Sequence, residues 1–386
     1  MGDGFRYKQV APNGAPALAR AFQQSQMGSK LFFAVAVTKT ARFLGNCASV
    51  LFIMYACLGA TISRGAVTLD TIGSFLTRHG YGGAQLVDSG QFYHLPVRAN
   101  GNAGNLVVDT GAPATLIFRS SLHRFGLAET KTNTPASGAF GRGHEAYGVS
   151  TVGSLSAGNC TLANVPVVVT SDVGNIHRYG TPSGFLGLRE LVKFGAILDL
   201  SHRMVYFRPS RPDRELSGSL RLMLEGTGWK PVQLSLRRHH LLVPGEVDDV
   251  PCRFIVDSGA RLTALDRSFA MRAKLGGKPT QLTASGIGRS GGTVSVTSFA
   301  SLWIGDYQIK RGSATVINLD PEMLARGTDA EVVGLIGVEY LAQNSAIFDF
   351  VSGTLYLRPG SRTSTDQMRR RPITSGRWNV SPPGRY

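Results

Sequence analysis

Short runs of β-branched and other apolar residues, separated by glycine-rich turns, recur along most of the chain. The clearest runs are residues 149–152, 165–169, 293–297 and 314–317. Runs of this length between turn residues are typical of β-strands. Helical patterns are few and short, at residues 120–125, 190–194, 267–274 and 321–325. The pattern therefore predicts an all-β protein with a few short helices.

Two further apolar runs end in nearly the same motif. One leads into Asp-Thr-Gly-Ala at 109–112, and the other leads into Asp-Ser-Gly-Ala at 257–260. Each predicted strand thus delivers one carboxylate, Asp109 or Asp257, into a tight glycine turn. Two carboxylates held close together can share one proton and divide the roles of acid and base. A single motif of this kind would suit an ordinary turn equally well.

The repeat extends well beyond the two Asp motifs. The Asp residues are 148 positions apart, and three later blocks match at an offset of 150. The matching blocks are 184–187 with 334–337, 196–199 with 346–349, and 205–209 with 355–359. Repeats of this length, in one order and at nearly one spacing, predict two related domains rather than a solenoid.

The repeat and the two ends of the chain divide the sequence into five predicted regions. They are a basic disordered N-terminal region at 1–42, an apolar segment at 43–62, a first domain at 75–212, a second domain at 217–360, and a basic disordered tail at 361–386. Ser-Gly-Ser at 217–219 is the predicted link between the domains.

The motifs resemble those of the pepsin and retropepsin superfamily of aspartic proteases. In both halves an Asp motif is followed by a glycine-rich hairpin and then by an apolar-apolar-Gly segment, over roughly residues 90–360. Alanine after the glycine, at 112 and 260, resembles the retroviral form of the motif. The resemblance implies two all-β lobes, a water activated by Asp109 and Asp257, and an extended polypeptide substrate. It implies no metal or organic cofactor.

Four neighbours of the Asp residues are candidate active-site supports. In the family, the hydroxyl groups at the positions of Thr110 and Ser258 bond across the base of the site and hold both loops rigid. Gly111 and Gly259 are expected to let the backbones approach closely and to lend an amide to each carboxylate. Ordinary turn chemistry at these positions is compatible with both roles.

Two glycine-rich hairpins are candidate flaps over a bound substrate. Their predicted contact residues are Phe140 and Gly141 in the first half, and Ile287 and Gly288 in the second. A flexible hairpin can close over substrate and exclude water. The alternative interpretation is that each is merely the tip of a surface hairpin.

Four other carboxylates follow the matched blocks. Asp199 and Asp349 occupy equivalent positions before turns, and we interpret them as structural acceptors of turn amides. Glu190 and Glu339 do not align with each other, which argues against a shared role. The histidines and the four cysteines show no spacing typical of a metal site, and we expect no structural disulfide.

The net charge of +16 is concentrated at the ends of the chain. Residues 1–45 and 361–386 each contain six basic residues against one Asp. Binding to nucleic acid would call for a basic groove with interleaved aromatic residues on a folded face. We therefore predict no nucleic-acid partner.

The apolar segment at 43–62 has no charged residue and is long enough to cross a bilayer. Basic residues before it favour an inside N-terminus and lobes outside the membrane. It is a signal peptide or a transmembrane anchor, and a buried core helix is the alternative. We therefore expect membrane association and an extracytoplasmic location. The internal repeat, in turn, predicts a monomer with internal pseudo-twofold symmetry. Whether the segment is cleaved, and whether residues 61–90 act as a propeptide, stays open.

The sequence thus favours an aspartic endopeptidase. Two alternatives are a non-catalytic peptide-binding module on the same fold and a membrane-anchored structural or assembly protein. The intact Asp residues and hydroxyl neighbours argue against the first alternative. Neither the natural substrate nor the pH optimum follows from the sequence.

Overall fold

The computed structural model describes residues 71–359, apart from 139–140, 174–175, 177–179, 210–213, 238, 287–288, 322–323 and 325–330. Regions 1–42, 43–62 and 361–386 lie outside the described residues, so membrane association and location stay predictions. Within the part of the chain that is described, no helix is long and apolar enough to span a bilayer.

The first half of the repeat is built almost entirely from strands. The described strands are β1 (Gly82–Gln85), β2 (Val87–Asp88), β3 (Tyr93–Ala99), β4 (Asn102–Val108), β5 (Leu116–Phe118), β6 (Thr130–Gly138), β7 (Gly141–Ala157), β8 (Cys160–Thr170), β9 (Gly184–Leu186), β10 (Ile197–Asp199) and β11 (Met204–Phe207). Eight of them form one sheet in the order β2-β3-β4-β9-β5-β8-β7-β6. β3 also pairs with β7, which closes the sheet on itself as a barrel-like lobe.

The second half repeats this arrangement strand for strand. Its described strands are β12 (Lys230–Gln233), β13 (Ser235–Arg237), β14 (His240–Val247), β15 (Val250–Val256), β16 (Ala264–Asp266), β17 (Gly277–Gly286), β18 (Arg289–Ile304), β19 (Tyr307–Ile317), β20 (Val332–Ile336), β21 (Ile347–Asp349) and β22 (Thr354–Leu357). The sheet order β13-β14-β15-β20-β16-β19-β18-β17, with an additional β14–β18 pairing, is that of the first lobe.

A third sheet joins the two lobes. Its order is β1-β11-β10-β21-β22-β12, so each lobe supplies three strands. The lobes meet where β10 runs antiparallel to β21, with Ile197 opposite Asp349 and Asp199 opposite Ile347. Equivalent strands thus pair with each other across an approximate twofold axis.

Six short α-helices and one 3-10 helix complete the described part of the chain. The α-helices are α1 (Ile72–Arg78), α2 (Leu122–Phe125), α3 (Leu188–Lys193), α4 (Arg214–Gly226), α5 (Arg267–Arg272) and α6 (Val338–Gln343). α4 connects the lobes, and its leucines at 216, 220 and 224 recur every four residues. They pack on Tyr206 and Tyr356 of the joining sheet, which explains why this segment is helical.

Alternation along the strands separates a lobe's core from its other face. On β4, Leu106 and Val108 belong to the main core, whereas Val107 belongs to a smaller cluster with Leu116 and Phe185. Because successive side chains of a strand point to opposite faces, Val107 lies on the face to which Asp109 points. The second lobe repeats this division on β15.

These observations confirm the predicted all-β, two-lobed fold. The four runs predicted as strands lie in β7, β8, β18 and β19. Three of the predicted short helices overlap α2, α3 and α5, and the one at 321–325 lies mostly outside the described residues. The predicted link at 217–219 does lie between the lobes, but it is helical rather than a turn, because these residues lie inside α4, where the spacing of the leucines outweighs the local preference of Ser-Gly-Ser.

Candidate active site

The two Asp residues occupy equivalent positions at the ends of β4 and β15. Each strand pairs in parallel with the strand that carries the apolar-Gly block, β9 or β20. The Asp109 amide donates to the Leu186 carbonyl at 3.0 Å, and the Asp257 amide donates to the Ile336 carbonyl at 3.0 Å. The parallel neighbour therefore fixes the backbone from which each carboxylate projects.

Each carboxylate accepts two amides of its own turn. Asp109 Oδ1 accepts from the amides of Gly111 (2.8 Å) and Ala112 (3.0 Å). Asp257 Oδ1 accepts in the same way from Gly259 (2.9 Å) and Ala260 (3.1 Å). One oxygen of each carboxylate is thus held by the protein, while the hydrogen bonds of its own turn leave Oδ2 available for chemistry.

The two turns are bonded to each other through buried hydroxyl groups. Thr110 Oγ1 donates to the Val256 carbonyl at 2.8 Å and accepts the Ser258 amide at 2.9 Å. Ser258 Oγ donates to the Val108 carbonyl at 2.8 Å and accepts the Thr110 amide at 3.1 Å. Both residues are almost completely buried. Four reciprocal bonds therefore hold the end of each Asp-bearing strand against the opposite lobe.

Glycine is required at 111 and 259 because the opposing carboxylate lies directly against the backbone. A Cβ atom on Gly111 would lie 2.5 Å from Cγ of Asp257, and one on Gly259 would overlap the Asp109 carboxylate. Each carboxylate therefore sits over the glycine of the other lobe. This arrangement shows that Asp109 and Asp257 face each other across the pseudo-twofold axis.

The environment of the pair opposes double ionisation. Burial, and next the neighbouring Asp257 carboxylate, raises the pKa of Asp109 well above its ordinary value. Burial also raises the pKa of Asp257, although its hydrogen bonds to Asp109 and to turn amides act in the opposite direction. Two like charges this close titrate as a unit, so the pair retains one proton over a range where isolated carboxylates would be ionised.

A second pair of carboxylates supports the loops from behind. Glu190 Oε2 accepts the amide (2.9 Å) and the hydroxyl (2.6 Å) of Thr115, six residues after Asp109. Glu339 Oε1 accepts the amide of Thr263, six residues after Asp257. The two Glu residues differ by one position in the repeat but reach equivalent threonines. Their misalignment argued against a shared role, but a glutamate side chain is long enough to absorb that offset, and the two contacts are equivalent.

The threonines close each support. The Gly187 amide donates to Thr115 Oγ1 at 3.1 Å, and the Gly337 amide donates to Thr263 Oγ1 at 2.9 Å. Thr115 and Thr263 were not singled out from the sequence, although they share the 148-residue offset of the Asp residues. That offset was the signal that could have identified them.

The remaining predicted residues fall into two groups. Asp199 accepts the amides of Ser201 and His202, and Asp349 accepts those of Val351 and Ser352, which confirms their structural role. Of the flap candidates, Gly141 opens β7 opposite Gly138 of β6. Phe140, Ile287 and Gly288 lie outside the described residues, so the flap role stays a prediction.

Comparison with known families identifies the class of protein that this geometry represents. A sequence model described as aspartyl protease matches residues 95–189 and 243–340, together half of the chain. Each matched segment includes one Asp turn and ends within the helix that follows its apolar-Gly block. The chain therefore belongs to the aspartyl protease family. A comparison with curated proteins gave no match.

Proposed function

We propose that the protein is an aspartic endopeptidase in which Asp109 and Asp257 together activate a water molecule. The observation that carries the proposal is the reciprocal geometry of the two turns. Each carboxylate lies over the glycine of the opposite lobe, and the hydroxyl groups of Thr110 and Ser258 hold both turns in place. A pair that retains one proton contains both an acid and a base.

The proposed reaction uses the pair in both protonation states. The ionised carboxylate removes a proton from water, and the resulting oxygen nucleophile attacks the carbonyl carbon of the peptide bond. The protonated carboxyl group donates its proton to the carbonyl oxygen. Return of that proton to the pair and protonation of the amide nitrogen then break the C–N bond and release the two products. The roles of Asp109 and Asp257 are interchangeable in this scheme.

The surroundings of the pair support an extended polypeptide substrate. Val107 with Phe185, and Ile255 with Leu335, place apolar side chains on the same sheet faces as the two Asp residues. Long hairpins, β6–β7 and β17–β18, rise from each lobe. An extended peptide can bind along such a surface through its backbone while its side chains contact the apolar faces.

Substitution of either carboxylate tests the proposal. Asp109→Asn and Asp257→Asn should each lower cleavage of an unstructured protein at least a thousandfold, because an amide cannot share the proton. Cleavage is measured at several pH values, with and without a statine-type inhibitor, and far-ultraviolet circular dichroism verifies that both variants are folded.

The double variant sets the background for these assays. Turnover by either single variant clearly above that background would contradict the paired mechanism. Binding of an unstructured polypeptide by the unsubstituted protein, without cleavage at any pH, would instead favour the peptide-binding module.

A further inference from the structure

The two glutamate supports behind the Asp turns have different electrostatic surroundings. In the first lobe, Arg189 Nε donates to Glu190 Oε1 at 2.6 Å, and its guanidinium also reaches the Pro166 carbonyl. The fully buried Glu190 carboxylate therefore has a positive neighbour. In the second lobe, the position equivalent to Arg189 is Glu339 itself, so the repeat supplies no arginine there.

Glu339 is consequently bonded at only one of its oxygens. Oε1 accepts the Thr263 amide, whereas Oε2 is buried and has no hydrogen-bond partner. Oε2 lies against the backbone of Gly337, where an added Cβ would be 2.6 Å away. A negative charge at Oε2 would therefore be buried with no ion pair and no hydrogen bond to that oxygen among the described residues, which is costly, whereas a proton there is tolerated.

The charged and titratable groups near Glu339 do not neutralise a negative charge on its carboxylate. Arg311 on β19 lines a groove of about 760 Å³ that also includes Glu339 and Thr263. Arg261, on the loop after Asp257, accepts the Glu339 amide through its carbonyl group at 3.3 Å. The hydroxyl group of Tyr340 is bonded to the backbone of Ser313 on β19. Neither arginine forms an ion pair with Glu339 in the described part of the chain.

We propose that Glu339 is a proton-dependent positioning residue for the turn that carries Asp257. Protonated Glu339 holds Thr263 and, through Thr263 and Gly337, ties that turn to α6 and β20. Ionised Glu339 moves its charge toward Arg311 and solvent in the groove, which releases the Thr263 amide and loosens the turn. The part of this proposal that concerns turnover rests on the proposed function.

Burial accords with this geometry, since it raises the pKa of Glu339 from 4.5 to about 7, against smaller opposing effects of hydrogen bonds from Thr263 and from the backbone amides of Glu339 and Tyr340. Between these values the folded protein binds a proton that the unfolded chain has lost. The free energy of unfolding therefore falls as pH rises from about 4.5 to about 7, and it levels off above that range. The first lobe provides the internal control, because Glu190 faces Arg189.

The test compares Glu339→Gln with Glu190→Gln. Urea unfolding between pH 5 and pH 8 should show a smaller decline in stability for Glu339→Gln than for the unsubstituted protein. Glu190→Gln should keep the full decline. In the peptidase assay, the ratio of kcat/KM at pH 8 to that at pH 6 should be roughly tenfold higher for Glu339→Gln than for the unsubstituted protein, since one required proton no longer titrates.

The proposal would be overturned if Glu339→Gln and the unsubstituted protein had the same dependence of unfolding free energy on pH. It would also be overturned if Glu339→Gln and Glu190→Gln reduced that dependence equally. This arm needs no substrate, so it separates failure of the proposal from failure of the proposed function. A merely structural role would lower activity equally at all pH values. If Glu339→Gln does not fold, titration of ¹³C-labelled glutamate in the unsubstituted protein decides, and a midpoint near 4.5 rather than 7 for Glu339 contradicts the proposal.

Discussion

The two lobes share a backbone plan but differ in the charged groups that brace it. Strand order, the hydrogen bonds of the Asp turns and the reciprocal hydroxyl bonds are the same in both. The ion pairs are not: Arg189–Glu190 and Arg119–Glu129 occur in the first lobe, and neither has an equivalent at the matching positions of the second. The hydrogen bonds that position the two Asp carboxylates are therefore the same in both lobes. The ion pairs that support the surrounding loops differ between the lobes, since neutral groups can take their place.

Removal of either hydroxyl group that bonds across the lobes should cause the largest loss of unfolding free energy, and the loss should be the same for Thr110 and for Ser258. Thr110→Ala and Ser258→Ala each leave one buried amide and one buried carbonyl group without a partner. We expect each variant to lose roughly 2–4 kcal/mol of unfolding free energy, measured by urea denaturation. Thr110→Ser and Ser258→Thr, which keep the hydroxyl group, serve as controls. A large difference between the two alanine variants would show that the network is not symmetric.

Replacement of the arginine that follows β5 or β16 should have a moderate effect on the unfolding free energy, and the effect should differ between the two lobes. Arg119 makes two bonds to Glu129, at 3.0 and 2.9 Å, whereas Arg267 bonds the neutral Asn318 at 3.0 Å. Arg119→Ala should cost about 1 kcal/mol of unfolding free energy at pH 7, and Arg267→Ala about 0.5 kcal/mol or less.

At acidic pH, Arg119→Ala and Arg267→Ala should lose similar amounts of unfolding free energy. The hydrogen bonds from Arg119 lower the pKa of Glu129, so this stabilisation is present above the ordinary pKa and is lost as pH falls through the lowered value. Urea unfolding at pH 7 and near pH 3 measures the effect. A cost of Arg119→Ala that persists unchanged in acid would mean that packing, rather than the ion pair, accounts for it.

The smallest change in unfolding free energy should come from a substitution in the turn after β10, at a position where the two lobes differ. The hydrogen bond that His202 Nδ1 donates to the Asp199 carboxylate raises the pKa of His202, whose place is taken by Ser352 in the second lobe. His202→Ser should lower the unfolding free energy by less than about 1 kcal/mol at pH 5, because this side chain is 59% exposed. The loss should disappear as pH rises through the raised pKa. An equal loss at pH 9 would exclude protonation as its source.

Local sequence was sufficient for the Asp turns and the strands around them. Apolar runs before Asp109 and Asp257, and a constant offset between the matched blocks, predicted equivalent strands because both signals act over a few residues. The repeat also predicted two lobes. It could not show that β10 and β21 pair with each other, since nothing local distinguishes that partner from other short apolar strands.

Two differences between prediction and structure have a common physical cause. Ser-Gly-Ser at 217–219 looks like a turn locally, but the burial of Leu216 and Leu220 outweighs that preference. Glu190 and Glu339 appear unrelated by position, but flexible side chains bring both to equivalent threonines. In each case tertiary contacts decided the outcome, and the spacing of the leucines and the repeated threonines were the available clues.

The sheet that joins the lobes has a consequence for synthesis on the ribosome. The edge of β10 that pairs with β21 stays unpaired until residues 347–349 have been made, 148 residues after Asp199. At about 5–20 residues per second, that delay is roughly 7–30 s. An unpaired strand edge is a template for association with other chains. The nascent first lobe is therefore open to self-association, or to protection by a chaperone, until its own second lobe emerges.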